Sequence, residues 1–274
     1  RDAETRGRGD AETRGRGDAE TRRNVRSPRH RVPVSPCRIL LWDIDGTLIR
    51  SVRTGAYKDY TIPVLEEIFG TAGRLGDMQV SGMTDLQIVY EALSDHGFTQ
   101  DQIFARVQEL ASRLTEKARS VTGNGAKFFE LLPGVRETLE ALAAHPRYES
   151  ALVTGNIESM AQLKMELVGL SEFFTLPGAF GDESHNRRDL PARAAERIRK
   201  HLQMDLAPEQ FIVIGDTPND IDCARHFGAR AVAVEHREAG DVRQHLLQLL
   251  EQQVEAHHLG DGRGDAGLVD VVPL

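Results

Sequence analysis

Four short apolar runs set the strongest limit on how this chain can fold. Each run holds four to seven residues, is rich in Leu, Ile and Val, and is bounded by turn-forming or charged residues. Runs of this length without polar alternation are typical of strands covered on both faces, as in parallel sheets. The predicted strands are residues 38–44, 150–153, 211–214 and 231–234.

Amphipathic helical patterns fill the intervals after these strands. They place Leu, Ile, Val or Ala at three- and four-residue spacing, with charged side chains on the opposite face. Alternating strands and helices predict an α/β fold with a doubly wound, Rossmann-like parallel sheet. The predicted core helices are residues 135–144, 160–168, 191–202 and 220–227.

Residues 52–131 depart from this alternation, because their pattern is helical almost throughout and includes no convincing strand. The helices predicted there are residues 56–69, 85–96 and 102–118. We therefore expect an all-helical cap subdomain, inserted after the first strand. The α/β catalytic core would then comprise residues 37–51 and 132–254.

The two ends of the chain lack a core-forming pattern. Residues 1–36 begin with repeats of the octapeptide DAETRGRG, which has no large apolar side chain, and are predicted to be a disordered tail. There are two alternatives for this segment. It could be an arm that binds RNA or anionic lipid, or it could be sequence translated from upstream of the true start. Residues 255–274 are predicted to be a second tail, in which the final apolar residues could form a strand.

Charge and cysteine content exclude several classes of protein. The total charge is −8, and the ten Arg and six acidic residues of segment 1–32 leave −12 for the rest, which does not favour nucleic-acid binding. Cys37 and Cys223 form no regular cysteine pattern, which favours a reducing compartment. The longest apolar stretch, residues 39–42, is far below the roughly 18 residues of a membrane span. We expect a soluble, cytoplasmic protein without a membrane or nucleic-acid partner, and leave its oligomeric state open.

Paired carboxylates follow the first predicted strand in the sequence DIDGT. Alternation along a strand directs Asp43 and Asp45 to the same side, and Gly46 permits a sharp turn at the carboxyl end of the sheet. Ligands of open α/β sheets bind at that end, and two carboxylates this close favour a divalent cation. The alternative is an ordinary turn in which Asp45 or Thr47 caps a following helix.

Two further predicted strands end in polar groups. Thr154, Gly155 and Asn156 offer a hydroxyl and backbone amides that suit an anion, although Thr154 or Asn156 could instead cap the next helix. Asp216 follows another strand, and Asp220 falls in the first turn of the next helix, where capping would explain it. Because each segment ends a separate strand, we expect all three to serve one site.

Four motifs in a fixed order indicate a protein family: DIDGT, LPGV at residues 132–135, VTGN and GDTPND. The sequence resembles the haloacid dehalogenase superfamily, in particular its phosphoglycolate-phosphatase-like members with a helical cap, over residues 37 to about 236. The resemblance implies that Asp43 is the nucleophile that forms an aspartyl-phosphate. It implies that Asp45 is the general acid for the leaving oxygen and then the base for water.

The same resemblance assigns ligands to a metal and to the phosphate. The groups implied for Mg²⁺ are the Asp43 side chain, the Asp45 carbonyl and Asp216, with Asp220 in support. The residues implied for the phosphate and substrate are Thr154, Gly155, Asn156 and Thr47.

One motif departs from the superfamily's usual pattern. Members normally place a Lys before the last motif, but residues 180–191 contain none. We expect Arg187 to neutralise the nucleophile and the phosphate, with Arg188 as the second candidate and surface-exposed arginines as the alternative. Lys164, in the middle of the helix after VTGN, is interpreted as a solvated residue.

The cap segment at residues 81–85 reads SGMTD, where related phosphatases commonly read Gly-Arg/Lys-Thr-Asp. Met83 replaces the expected cation, which weakens any prediction of a substrate carboxylate bound there. Thr84 is a substrate-binding candidate, but an ordinary helix cap at Thr84 or Asp85 is slightly favoured.

Together these patterns predict a Mg²⁺-dependent phosphatase that hydrolyses a small phosphorylated metabolite through an aspartyl-phosphate. A phosphomutase on the same site is the first alternative, and a non-catalytic binding protein on this fold is the second. A dehalogenase is disfavoured, because related dehalogenases do not need the acid that this chain has at Asp45.

Overall fold

The computed structural model describes residues 37–53, 55–122, 128–235 and 269–273, with the backbone alone at 235 and 269–273. The predicted tail at residues 1–36 lies outside the described residues. So do residues 236–268, which include the end of the predicted core and most of the second predicted tail.

A parallel sheet forms the centre of the fold. In chain order the strands are β1 (Arg38–Trp42), β2 (Ile49–Ser51), β3 (Phe129–Leu131), β4 (Tyr148–Leu152), β5 (Phe211–Gly215), β6 (Arg230–Glu235) and β7 (Val269–Pro273). Strands β4, β1, β5, β6 and β7 lie side by side in that order and pair in parallel. Strands β2 and β3 form a separate antiparallel pair. This order places β1 inside the sheet, between β4 and β5.

Helices connect and cover the strands. In chain order they are α1 (Lys58–Phe69), α2 (Asp85–Leu93), α3 (Gln100–Phe104), α4 (Val107–Thr122), α5 (Val135–Ala144), α6 (Glu158–Val168), α7 (Leu190–Leu202) and α8 (Pro218–Phe227). Helices α1 to α4 lie between β2 and β3. Helix α5 precedes β4, α6 and α7 lie between β4 and β5, and α8 lies between β5 and β6. The predicted α/β fold with an inserted helical subdomain is therefore confirmed.

Both faces of β1 are covered, which explains its continuous apolar sequence. Leu40 and Trp42 belong to an apolar cluster that includes residues of α5 and α6. Ile39 and Leu41 point to the opposite face and belong to a second cluster with residues of α7 and α8. The sheet is thus the middle layer of three.

The inserted helices have an apolar core of their own. Residues of α1, α2 and α4 pack together there, and Ile157, Met160 and Leu163 of the core join them. The chain enters and leaves this subdomain through β2 and β3, where Ile49 pairs with Leu131. The expectation that residues 52–131 hold no strand is therefore wrong at β3, whose three residues are too few to form a recognisable pattern.

The last strand lies within the segment predicted to be a C-terminal tail. β7 pairs in parallel with β6 and extends the sheet, so the final apolar residues form the strand given as an alternative. Separately, no helix in the described part of the chain combines the length and apolar character needed to cross a membrane.

Candidate active site

Three strand ends meet at the carboxyl edge of the parallel sheet. Trp42, the last residue of β1, is in register with Leu152 of β4 and with Ile214 of β5. The Asp43 amide donates to the Ile214 carbonyl at 2.9 Å. The segments that follow these strands are the three predicted motifs, and they therefore lie together.

The turn after β1 brings two of these motifs into contact. Gly46 has a φ of +83°, and a Cβ at this position would lie 2.1 Å from an oxygen of Asp216. Only glycine allows this approach. β2 follows the turn, so the alternative in which Asp45 or Thr47 caps a following helix is wrong.

Asp43 is buried in a group of like charges. Its Oδ1 accepts a hydrogen bond from Nη2 of Arg187 at 2.9 Å. The pKa of Asp43 is raised to about 7, mainly by burial. Arg187 lowers the pKa, whereas the carboxylates of Asp220, Asp45 and Asp216 contribute to the rise. The ionised form of Asp43 therefore needs more positive charge than Arg187 supplies.

The carboxylates around Asp43 can hold a metal ion. One oxygen from each of Asp43, Asp216 and Asp220 lies within 4.8 Å of the other two. All are hard oxygen donors, and two of the three residues are buried. The Thr47 hydroxyl, which is also buried, donates to Asp216 at 3.4 Å. Thr47 therefore positions Asp216 and lies outside the cavity lining.

Asp220 both caps α8 and joins the site. Its Oδ2 accepts from the amide and hydroxyl of Thr217, at 3.0 and 2.7 Å, which confirms the predicted capping role. Its Oδ1 accepts from Arg187. A Cβ on Gly215 would overlap this carboxylate at 2.1 Å, so the glycine makes room for it.

The two candidate arginines have different surroundings. Arg187 is buried; burial alone would lower its pKa, but Asp43 and Asp220 more than offset this effect and raise it. Its interpretation as a surface residue is wrong. Arg188 is half exposed and pairs with Asp222 at 2.6 Å, so the structure does not bring Arg188 to the cavity.

Lys164 is in the site, and its interpretation as a solvated residue is wrong. It is only 4% exposed, and its Nζ lies 2.6 Å from Oδ2 of Asp45 and 2.6 Å from Oδ1 of Asn156. The amide of Asn156 also donates to Asp45 at 2.8 Å. A signal was present, because Lys164 lies one turn after Met160 and three residues after Ala161, both buried on α6.

The loop after β4 forms a polar cradle. Thr154 is fully buried, and its hydroxyl oxygen accepts from the Asn156 amide nitrogen at 3.3 Å and from the Asn156 side chain at 2.8 Å. Neither residue caps α6. The Ile157 amide at the start of that helix donates instead to Oδ2 of Asp85, at 2.7 Å. The capping alternative for this loop is therefore wrong.

Hydrogen bonds of residues 82–86 connect the inserted helices to the core. Thr84 is fully buried and caps α2, where its hydroxyl accepts from the Gln87 amide at 3.2 Å. The structure therefore places Thr84 away from the cavity lining. The Asp85 amide donates to the Gly155 carbonyl at 2.7 Å, and Asn219 donates to the Gly82 carbonyl at 2.8 Å.

A cavity of about 270 Å³ lies between the sheet edge and the inserted helices. The core residues at its wall include members of the first two motifs and two buried cations, Lys164 and Arg187. They are Asp43, Asp45, Gly46, Arg50, Ser51, Thr154, Gly155, Asn156, Met160, Lys164 and Arg187.

Two phosphoglycolate phosphatases are similar to this chain over most of its length. A phosphoglycolate phosphatase from Aliivibrio fischeri is 26% identical over 206 residues, which are 72% of this chain and 83% of that protein. A phosphoglycolate phosphatase from Vibrio cholerae is 26% identical over 198 residues, 70% of this chain and 81% of that protein.

Solved structures share the fold at low identity. β-Phosphoglucomutase from Clostridium difficile is 15% identical, with a TM-score of 0.55 over 81% of this chain and 99% of that one. CbbY from Rhodobacter sphaeroides, solved in complex with phosphate, is 16% identical, with a TM-score of 0.53 over 72% and 86% of the two chains.

The family model for haloacid dehalogenase-like hydrolases matches residues 40–225. This range is more than half of the chain and contains all three strand ends of the site. The chain therefore belongs to the haloacid dehalogenase-like hydrolase family.

Proposed function

We propose that this protein is a phosphatase that hydrolyses a small phosphate monoester, with Asp43 as the nucleophile and Asp45 as the acid and base. The observation that carries the proposal is that two carboxylates line one cavity in different surroundings. Asp43 is buried beside Arg187, and Asp45 is 45% exposed and held by Lys164. The names of the phosphoglycolate phosphatases that resemble this chain support the same activity.

The two carboxylates divide the reaction between them. In the first step an oxygen of Asp43 bonds to phosphorus, the bond to the alcohol oxygen breaks, and Asp45 gives that oxygen a proton. In the second step Asp45 takes a proton from water, whose oxygen bonds to phosphorus and releases Asp43 and inorganic phosphate. The contact with Lys164 holds the Asp45 carboxylate at the cavity, where it can exchange protons with the reacting oxygens.

The acidic cluster fits Mg²⁺. Asp43 and Asp216 would hold the ion together with the Asp45 carbonyl, and Asp220 would support it while bonded to Arg187. When bound, the ion would neutralise negative charge on the phosphoryl group. The raised pKa of Asp43 supports this assignment, because a cation would favour the ionised nucleophile.

The loop after β4 would hold the phosphate oxygens. Thr154, Gly155 and Asn156 all line the cavity, and they would supply a hydroxyl and backbone amides. Lys164 and Arg187 line the same cavity and add positive charge to it. Donors fixed in advance stabilise the charge that develops during phosphoryl transfer.

Substitution of the nucleophile tests the proposal. Asp43→Asn keeps the size of the side chain but removes its charge, so we expect phosphate release from p-nitrophenyl phosphate with Mg²⁺ to fall by about a thousandfold or more. Asp222→Asn is the matched control, because Asp222 is a half-exposed carboxylate outside the cavity.

Unchanged turnover in a folded Asp43→Asn variant would contradict the proposal, as would turnover that is insensitive to a chelator. Conversion of one sugar phosphate into its isomer, without phosphate release, would instead identify a phosphomutase. Circular dichroism establishes that both variants are folded.

A further inference from the structure

The alcohol half of a substrate would lie between the catalytic edge and the inserted helices. The cavity volume of about 270 Å³ is just below the range usual for ligand sites, so the substrate is small. Among the described residues that the insertion contributes to the wall, Asp85 alone is charged, and it is acidic. Most of the rest are apolar or aromatic, including Tyr57, Tyr60, Val80, Met83, Ile88 and Leu114.

Each cation in the described part of the wall already has an acidic partner. Arg50 lies 2.5 Å from Glu130, and Lys164 lies 2.6 Å from Asp45. Arg187 bridges Asp43 and Asp220. A phosphate can use Lys164 and Arg187 at the catalytic edge, but a second anionic group would face Asp85 with no unpaired cation. Burying such an uncompensated charge is costly.

Met83 is a residue of the insertion that lies against Gly155 in the loop after β4. Its carbonyl oxygen packs against Gly155 so closely that a Cβ there would approach it to 2.1 Å. Residue 83 therefore sits directly beside the proposed phosphate loop and lines the same cavity. Its thioether is uncharged and adaptable, and offers only weak hydrogen bonding.

Tyr57 supplies a neutral polar group to this region. It lines the cavity, and its hydroxyl oxygen is buried without a hydrogen-bond partner among the described residues. A phenol can donate to an alcohol or ether oxygen without requiring a charge on the ligand. The pocket beyond the phosphate therefore offers apolar contact and, at Tyr57, a neutral donor with no partner among the described residues.

We infer, given the proposed phosphatase function, that the substrate is the phosphate monoester of a small uncharged alcohol. Esters that carry a carboxylate or a second phosphate are selected against, and Met83 is a residue that determines this specificity.

Two nearly isosteric esters test the inference with the full chain and Mg²⁺: 2-phosphoglycolate and its neutral amide, 2-phosphoglycolamide. We expect kcat/KM for the amide to exceed that for the carboxylate by about tenfold to a hundredfold, as for one unpaired charged group. Met83→Arg should shift this ratio towards the carboxylate by about tenfold or more. Met78→Arg is the matched control, because Met78 is also partly buried in the insertion but lies outside the cavity wall, and it should keep the ratio.

The outcomes separate the inference from the function on which it rests. Equal turnover of the two esters, or a preference for phosphoglycolate, overturns the inference and leaves the phosphatase intact. If neither ester nor p-nitrophenyl phosphate releases phosphate, the inference and the proposed phosphatase function are both wrong. An unchanged ratio in folded Met83→Arg excludes Met83 as a specificity residue. The wild-type ratio tests the substrate class even if that variant does not fold.

Discussion

Among single residues, Lys164 contributes directly to the orientation of Asp45. A buried ammonium needs acceptors, and Asp45 and Asn156 provide them at 2.6 Å each. The Lys164 ammonium also lies 5.4 Å from the centre of the Phe129 ring. These contacts hold Lys164 in place, so Asp45 is oriented towards the cavity before a substrate binds.

Loss of this ammonium should slow the reaction more than it weakens binding. We expect Lys164→Met to lower kcat by about tenfold to a hundredfold, the effect of losing hydrogen bonds to a charged group, with a smaller change in KM. Lys117→Met is the control, since Lys117 is exposed on α4. Steady-state kinetics measure both constants, and equal kcat values in the two variants would contradict the positioning role.

Lys164 and Arg187 illustrate what sequence can predict at this scale. Arg187 could be found because it follows a recognised motif order and lies where a cation is needed. Lys164 could not be found with the same ease, because a charged residue in a helix is usually solvated and its partner, Asp45, is 119 residues away. The apolar stripe of α6 was the one local clue.

Among the secondary-structure elements, α2 and α6 are linked by a hydrogen bond between their N-termini. Asp85, in the first turn of α2, accepts from the Ile157 amide at the start of α6. A carboxylate at a helix N-terminus is favourable. Burial nevertheless raises the pKa of Asp85 to about 6, although the Ile157 amide and Lys164 lower it. The protonated form of Asp85 is therefore favoured in the folded state relative to the unfolded one.

This shift should make stability depend on pH. The pKa of Asp85 rises on folding, from 3.8 to about 6. The stability that protonated Asp85 gives to the folded state is therefore complete below about pH 4 and is lost as the pH rises through 6. Between pH 4.5 and 7.5, we expect the free energy of unfolding of the wild type to fall by about 2 kcal/mol relative to that of Asp85→Asn. Urea unfolding at several pH values measures this difference, and parallel profiles would contradict it.

Local patterns predicted the long elements better than the contacts between them. The helix at 135–144 has the predicted bounds, because its apolar face repeats over three turns. Strands of three residues, such as β2 and β3, carry too few residues to show a period. The bond between Asp85 and Ile157 spans 72 residues and depends on how two subdomains pack, so no local pattern contains it.

At the scale of the whole molecule, β7 closes the side of the sheet away from the site. Its residues pair with β6 from Ala231 to Glu235, so they cover an edge that would otherwise expose unpaired backbone groups. The proposed catalytic residues follow β1 and β5, and the loop proposed to hold the phosphate follows β4. The edge that β7 covers is therefore separate from the strands that precede the proposed site.

Deletion of residues 269–274 should separate stability from catalysis. We expect the midpoint of thermal unfolding to fall by at least about 3 °C and aggregation to increase, because the edge of β6 becomes unpaired. The soluble fraction should keep its kcat. Removal of Leu274 alone is the control, since it leaves β7 in place. Loss of kcat in a folded, soluble deletion variant would contradict this division.

The pairing of β2 with β3 has an evolutionary consequence. Ser51 lies opposite Phe129, so the chain departs from the catalytic core and returns to it at neighbouring points. Because these two points are neighbours, the segment between them can change in length without separating the strands of the parallel sheet that precede the proposed nucleophile. A lineage that inherits this core can thus acquire a new substrate by exchanging one contiguous stretch of gene, while the chemistry passes down unaltered.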